Sequence, residues 1–522
     1  MKRYDAIVIG GGHNGLVAAT YLARAGYDVC VLERYEALGG AAFTAEIAPG
    51  FHVSQASYVL SLAPKKVLDD MGVWRRGLEM IPRNPRSFTP FPDGSYIASW
   101  EDQAARLAEM AKLSQRDAAA WPAYDDFVER ACEVMDRFIL RRPPSWAEFA
   151  AAFDRPGDAA VFQKLILGAS ADVAEYFFED PRIQASVASG GIIGTFRGPR
   201  EAGTGYVKLY HSMGMSTGTR GMWAYVRGGM GSVARAFAAA AAEAGVTTRT
   251  GAEVERVVVK HGRATGVVLA GGEEVAGKIV LSNADPKRTY LKLVDAGDLP
   301  ADYRRAVEAI KIDSPVLKVN LALAEPPRFK CLAGQDDDLS RRLISAISIV
   351  PPIDVMQAGC EQARQGRPAG FPWMSIHMQS AVDPTVAPPG QHTLSIFTQF
   401  FPYTLAEGTW ASRRDEIADH VIKRLGEYAP NIPNAVIARQ VLGPPDLEAR
   451  FGLTGGHIFH GELVPEQAFD LRPVPGSRSY EGPIAGLYLC GSGAWPGGCV
   501  MGAPGHNAAH EAIEHLRAGR HS

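Results

Sequence analysis

The sequence predicts an α/β fold: a Rossmann-like dinucleotide-binding domain assembled from discontinuous segments, joined to a mixed α+β second domain. Three observations predict it. A strand–turn–helix pattern with Gly10, Gly12 and Gly15 in G-x-G-x-x-G spacing opens the chain. A second glycine cluster, "LYLCGSGAWPGGCVMGAPGHNAA" (487–509), closes it. Between them, a glycine turn at 227–231 feeds an alanine-rich helix and a set of short alternating strands. The expected boundaries are 1–80, 225–295 and 450–522 for the nucleotide-binding domain. Residues 81–224 and 296–449 are left for the second domain.

The elements follow in order. "DAIVI" (5–9) is a short continuous apolar run, the mark of a parallel strand buried on both faces. Gly10 to Gly15 form the turn. "LVAATYLARAG" then has helical spacing, with Leu16, Ala19, Leu22 and Ala23 on one face and Gly26 as the stop. "DVCVL" (28–32) is the second strand of a right-handed β-α-β unit. Residues 100–220 read as mostly helical. Residues 310–450 mix strands, "VLKVNLALA" and "HTLSIFTQF", with a helix near 412–428. After 246, turns such as "HGRA" and "AGGEE" divide a three-stranded meander that returns to a parallel strand at 278–282. "GLYLCGSG" (486–493) is a strand entering a glycine turn, and 504–519 is the last helix.

The totals exclude several classes. The 522 residues carry 54 basic and 57 acidic side chains, a net charge of −3, without the basic excess that nucleic-acid binding needs. Six cysteines are scattered and none forms C-x-x-C, so neither a disulfide framework nor a redox-active pair is expected, and no metal site. The opening apolar run is broken by glycines and acids, unlike a signal peptide. No uncharged apolar run reaches the roughly 20 residues of a spanning helix. A cytoplasmic protein is expected, at most peripheral to a membrane. The amphipathic stretch 340–359, with Arg341 and Arg342 at its edge, is the candidate for membrane contact; an ordinary surface helix is the alternative.

The first loop has a specific chemistry. Gly10 permits the tight turn, Gly12 lets the backbone approach a pyrophosphate, and Gly15 lets the helix pack on the strand. His13 and Asn14 lie in the same loop, at a helix start that offers free N–H groups to a diphosphate. Glu33 ends the second strand, 18 residues after Gly15, placed to hold both hydroxyls of an adenosine ribose. Its charge disfavours a 2′-phosphate. Glu33 alone leaves NAD and FAD open.

The next residues separate them. "ERYEALGGAAFT" (33–44) places Gly39-Gly40 shortly after the acid, and this resembles the extended fingerprint of glutathione-reductase-type flavoproteins. Their usual pattern is Gly-Gly-Arg; here Ala41 stands third, with Arg34 as a substitute cation or backbone N–H groups sufficing. The tail 487–509, "GGM" (228–230) and "SNADP" (282–286) are similar to the phytoene desaturase-like FAD-dependent oxidoreductases over essentially the full length. Within that family the chain most resembles the branch of pyridine nucleotide-disulfide oxidoreductase domain-containing protein 2. The resemblance implies one non-covalent FAD, with Val254 at the adenine and Gly491, Ser492, Met501 and Gly502 in the closing turn. It implies an apolar or amphipathic substrate, with electrons passing to oxygen, a quinone or another acceptor. Desaturase or dehydrogenase chemistry leads. A flavin amine oxidase and an FAD-free lipid- or prenyl-binding module of the GDP-dissociation-inhibitor type are the alternatives. Flavin chemistry often needs no side-chain base. The candidates for proton transfer are His457, His460 and Glu462 in "TGGHIFHGE", with structural hydrogen bonding and a His-x-x-His metal site as the other readings.

Overall fold

The strand Arg3–Ile9 is the spine of a seven-stranded sheet in the computed structural model, which describes residues 3–520. It pairs in parallel with Val29–Leu32 on one side and with Glu274–Ser282 on the other. Thr247–Arg249 extends the first edge beyond Val29–Leu32. On the other side, Val254–Lys260 and Arg263–Leu269 form the antiparallel meander with Glu274–Ser282, whose last residues also pair in parallel with Leu487–Leu489. Three segments far apart in sequence therefore share one sheet, as expected. Ala6, Ile7 and Val8 are fully buried, as their continuous apolar run predicts.

The first helix starts earlier than its apolar pattern. It runs His13–Arg24, with Gly12 as an extended N-cap. The G-x-x-G half of the loop is therefore already the first helical turn, which aims the N–H groups of residues 13–15 outward. This helix packs against Gly231–Glu243 and against the last helix, Ala503–Arg517. The second contact is very close: a Cβ on Gly505 would stand 2.1 Å from the Asn14 carbonyl oxygen. Asn507 on the same helix donates to the carbonyls of Ile139 and Arg141, tying it to the end of the long helix Gln115–Ile139.

A second seven-stranded sheet holds Leu317–Leu323 between Val436–Leu442 and His392–Gln399, all antiparallel, and continues through Trp373–His377 and Ala346–Ile349 to Phe88–Pro90 and Tyr96–Ala98. Helices dominate 100–220, and Trp410–Gly426 is the helix expected near 412–428. A short pair, Met80–Pro82 with Ala224–Val226, delivers Arg83 to the space near this sheet.

One expectation is overturned. Residues 340–359 are not a single amphipathic helix. They form the end of a helix at Asp337–Leu343, the strand Ala346–Ile349 and the start of a helix at Ile353–Arg364. Pro351 and Pro352 cannot donate within a helix, and Ile347 and Ile349 are buried inside the sheet. The apolar face expected at a membrane is core. No helix among the described residues is long and apolar enough to cross a membrane. All six cysteines are free thiols.

The Gly505 contact yields a test. Gly505→Ala forces a methyl group against backbone that cannot move aside cheaply, so it should destabilise the protein by about 1–3 kcal/mol, read as a lowered Tm in thermal melts.

Candidate active site

The first loop, the Gly39-Gly40 pair, the turn after Glu274–Ser282 and the final glycine cluster converge on one cleft. The cleft has a cavity volume of about 330 Å³, within the roughly 300–1,000 Å³ typical of a ligand pocket, and opens to solvent at its mouth. Its outer part is a backbone cradle. Gly39 N donates to the Gly11 carbonyl at 2.9 Å. Gly40 has φ +56, and a Cβ there would sit 3.2 Å from Gly12 Cα; a Cβ on Gly12 would meet Asn283 Nδ2 at 2.8 Å. Side chains at these positions would fill the space where a diphosphate can reach the N–H groups of the helix start. Gly15 serves the packing beneath, its Cβ position being 2.2 Å from the Gly10 carbonyl oxygen.

Glu33 is buried at the end of its strand. Gly11 N donates to its Oε2 at 2.7 Å and Tyr35 N to its Oε1 at 2.9 Å. A carboxylate has about four acceptor sites, so two remain for a vicinal diol. Val254 lines the cleft beside it. Asn14 Nδ2 donates to Ser492 Oγ at 3.3 Å, while Asn14 Oδ1 is buried without a partner. Cradle, free carboxylate sites and orphaned amide oxygen all fit a dinucleotide cofactor.

Of the cofactor residues expected from sequence, Gly10, Gly12, His13, Asn14, Glu33, Arg34, Gly40, Ala41, Val254 and Ser492 line the cleft. Gly15, Gly39, Gly491, Met501 and Gly502 stand behind that lining. Gly491 lies against Asn283, and Met501 Sδ accepts from Tyr210 OH at 3.0 Å. Arg34 donates to the carbonyls of Ala449 and Arg450, each at 3.2 Å, so its charge is tethered there rather than directed at the cradle.

The "TGGHIFHGE" segment divides. His460 lines the cleft with φ +58 and a buried, unpartnered Nδ1. His457 is fully buried behind it, its Nδ1 accepting from Phe459 N at 3.2 Å. Glu462 faces away from the cleft and accepts from Phe196 N at 2.9 Å. Arg472 fastens this segment to the last strand's turn. Its guanidinium donates to the carbonyls of Phe459 (2.6 Å), Glu462 (3.1 Å) and Ser492 (2.7 Å). Burial lowers the pKa of His13 and of His460 to about 4, and that of His457 to about 3, with the Arg472 charge adding to the effect at His457 and His460. Neutral imidazoles therefore border the cleft. The Nε2–H of His13 donates to the Cys499 carbonyl at 3.2 Å.

The inner part of the cleft holds residues that sequence reasoning missed. Lys318 is 1% exposed, its Nζ 4.0 Å from the centroid of the Tyr58 ring and donating to Ser395 Oγ. Burial alone draws its pKa well below the ordinary lysine value. The His377 ring lies 4.3 Å from that of Tyr58; it bonds Ser375 Oγ at 2.9 Å and Tyr225 OH at 3.2 Å. Arg83, Trp223 and Phe397 complete the lining. One signal was available: a lysine in the mostly apolar strand "VLKVNLALA", where a fully buried lysine is rare.

Comparison with known proteins agrees with this geometry. The family model described as flavin containing amine oxidoreductase matches residues 15–510. The chain is 39% identical to mouse pyridine nucleotide-disulfide oxidoreductase domain-containing protein 2, over 98% of this chain and 94% of the relative. It is 24% identical to the chloroplastic prolycopene isomerase of Daucus carota, over 96% of this chain and 78% of that relative. Among solved structures, cyclohexylamine oxidase from Brevibacterium oxydans superposes with a TM-score of 0.58 at 18% identity, covering 98% of this chain and 99% of that one. The resemblance carried by the glycine motifs is borne out, and so is the flavin expectation. The chain belongs to the flavin containing amine oxidoreductase family, and it is an FAD-dependent oxidoreductase.

Proposed function

We propose that this enzyme is a dehydrogenase or desaturase-like oxidoreductase acting on an apolar or amphipathic substrate, with oxygen, a quinone or another acceptor taking the electrons. One observation carries the reading. The inner cleft is walled by Ile193, Trp223, Val316, Phe397 and Phe459, and the carboxylates lining the cleft, Glu33 and Glu253, both sit at the ribose end. Ala252 N donates to the Glu33 backbone carbonyl, which places Glu253 next to Glu33. A protonated amine would meet aromatic and aliphatic walls without a counter-charge, which disfavours the amine oxidase alternative. The FAD-free carrier alternative has no support in the site, since the glycine cradle and Glu33 are intact.

The sheet carrying Arg3–Ile9 is read as the cofactor-binding domain (1–80, 225–295 and 450–522). The sheet carrying Leu317–Leu323 belongs to the substrate-binding domain (81–224 and 296–449). In the first, Glu33 holds the ribose, the start of the helix His13–Arg24 and Gly40 hold the diphosphate, and Asn14 and Ser492 meet the chain between diphosphate and flavin. FAD, when bound, supplies a centre that accepts or returns a hydride. The protein's part is positioning and exclusion of water. The apolar walls align the carbon that gives up hydride and keep solvent out. His460, neutral and with a free Nδ1 at the cleft, is the group placed to accept a proton where the reaction releases one. His457 and Glu462 set the backbone path that presents it.

Two tests follow. Glu33→Gln keeps the shape but removes the charge that holds the ribose. FAD should bind about 10- to 100-fold more weakly, the range expected for hydrogen bonds to a charged group, as read by flavin fluorescence during titration of the apoprotein. In the second, the yellow holoenzyme is mixed anaerobically with polyenes, aliphatic alcohols and primary amines. Bleaching of the flavin by an apolar alcohol or polyene, and not by amines, is the expected result; bleaching by amines alone would overturn the proposal.

A further inference from the structure

A diphosphate brings two negative charges into the cradle, whereas the start of a helix offers the equivalent of about half a positive charge. Four basic side chains line the cleft: Arg34, Arg83, Arg288 and Lys318. Arg34 is held at the carbonyls of Ala449 and Arg450. Arg83 and Lys318 stand at the inner end, both beside Tyr58. Arg288 is the remaining one. It belongs to the helix Pro286–Leu291, which follows the turn after Glu274–Ser282. That turn starts at the cradle, where Asn283 Nδ2 reaches the Gly10 carbonyl at 3.4 Å. The helix leads on to Leu293, which lines the cleft with Val254 and whose carbonyl accepts from Val257 N at 2.7 Å. Arg288 is therefore carried on the stretch that joins the diphosphate cradle to the adenine end. Ala284, four residues earlier, lines the cleft as well.

Among the described residues the guanidinium of Arg288 forms neither an ion pair nor a hydrogen bond, and its Nε is buried. The acid next to it in sequence is turned elsewhere. Asp285 Oδ1 accepts from Arg288 N at 2.9 Å and Oδ2 from Thr454 Oγ1 at 2.6 Å. The Arg288 charge acts on His460, and His460 in turn acts on His13, the first residue of the helix His13–Arg24. Other half-buried arginines in the protein are matched: Arg130 pairs with Asp158 at 2.5 Å, and Arg220 with Glu129 and Asp136. An unmatched guanidinium with a buried, unbonded nitrogen is costly at a cleft wall unless a ligand supplies the anion. We infer that Arg288 binds the diphosphate of the cofactor and supplies the counter-charge that the glycine cradle lacks. A guanidinium meets two phosphate oxygens at once in a forked hydrogen bond. The cation thus comes from the helix after Glu274–Ser282 and not from the position behind Gly39-Gly40, where Ala41 stands. This deepens the proposed function and rests on its placing of the diphosphate at the helix start.

The experiment uses the full-length protein, stripped of flavin and checked for return of its yellow spectrum with added FAD. It is titrated with FAD by flavin fluorescence, and with ADP and adenosine in competition against FAD. Wild type should bind ADP more tightly than adenosine. Arg288→Gln should weaken FAD and ADP about 10- to 100-fold, the range for hydrogen bonds to a charged group, and leave adenosine within about twofold. Arg288→Lys should recover part of the loss, since it keeps the charge and loses the fork. The Tm of each flavin-free variant, unchanged from wild type, separates loss of the contact from loss of the fold. Equal losses for ADP and adenosine in Arg288→Gln would overturn the inference, and so would ADP affinity untouched in that variant. The two readings fail differently. ADP held no more tightly than adenosine by wild type sinks the placing of the diphosphate itself. ADP favoured to the same degree by wild type and by Arg288→Gln sinks only the role of Arg288.

Discussion

The structure depends on backbone meeting backbone at the first turn. Residues from four distant parts of the chain come together there: Gly12 with Gly39 and Gly40, Asn283 beneath them, and Gly491 and Ser492 from the tail. Asn283 Nδ2 reaches the Gly10 carbonyl at 3.4 Å, and a Cβ on Gly491 would stand 2.6 Å from the Asn283 carbonyl oxygen. Such approaches leave no room for side chains, so the polar groups left at the surface of this knot are peptide N–H groups and amides. The cofactor site is therefore the face of the contact that joins the discontinuous segments. The first sheet and the cradle are therefore held by the same contacts.

The electrostatics of the cleft follow from burial more than from charge pairing. The imidazoles of His13, His457 and His460 are kept neutral chiefly by desolvation. Arg472, whose own pKa is pulled to about 10, stays close by and is solvated by carbonyls rather than by an acid. A carboxylate partner for Arg472 would cancel its field and make the imidazoles easier to protonate. Carbonyls satisfy the guanidinium without adding charge, and this ties down the 457–462 segment while the histidines remain neutral.

Much of this was legible in the sequence, for a physical reason. A dinucleotide cradle is local: a strand, a glycine turn, a helix and an acid at set spacing, so Gly10, Gly12, Glu33 and Gly40 could be named one by one. The tail could be matched in the same way, because glycines that allow close approach leave a dense pattern. The inner cleft is different. Lys318 and His377 come from two strands, and Arg83 from just beyond a third, whose pairing is set by long-range contacts, and no short spacing links them. "TGGHIFHGE" misled in the opposite sense. Its polar residues are adjacent in sequence, yet the left-handed backbone at His460 turns Glu462 away from the cleft. In 340–359 the spacing suited a helix, but two prolines and burial in a sheet overrode it.

The same burial links stability to ligand binding. Lys318 is buried in the cleft, and an Asn14 oxygen and an Arg83 nitrogen there lack partners among the described residues. Polar groups left unsatisfied in a dry site cost about 1–3 kcal/mol each, more when charged. That cost is borne by the folded chain alone and is relieved when cofactor and substrate supply the missing partners, so ligands stabilise the fold as RT ln(1 + [L]/Kd). A sequence built for its own stability would place an aliphatic residue at 318, as the adjoining Leu317 and Val319 do. A lysine there instead puts a basic nitrogen at the cleft wall, against Ser395 Oγ and the Tyr58 ring.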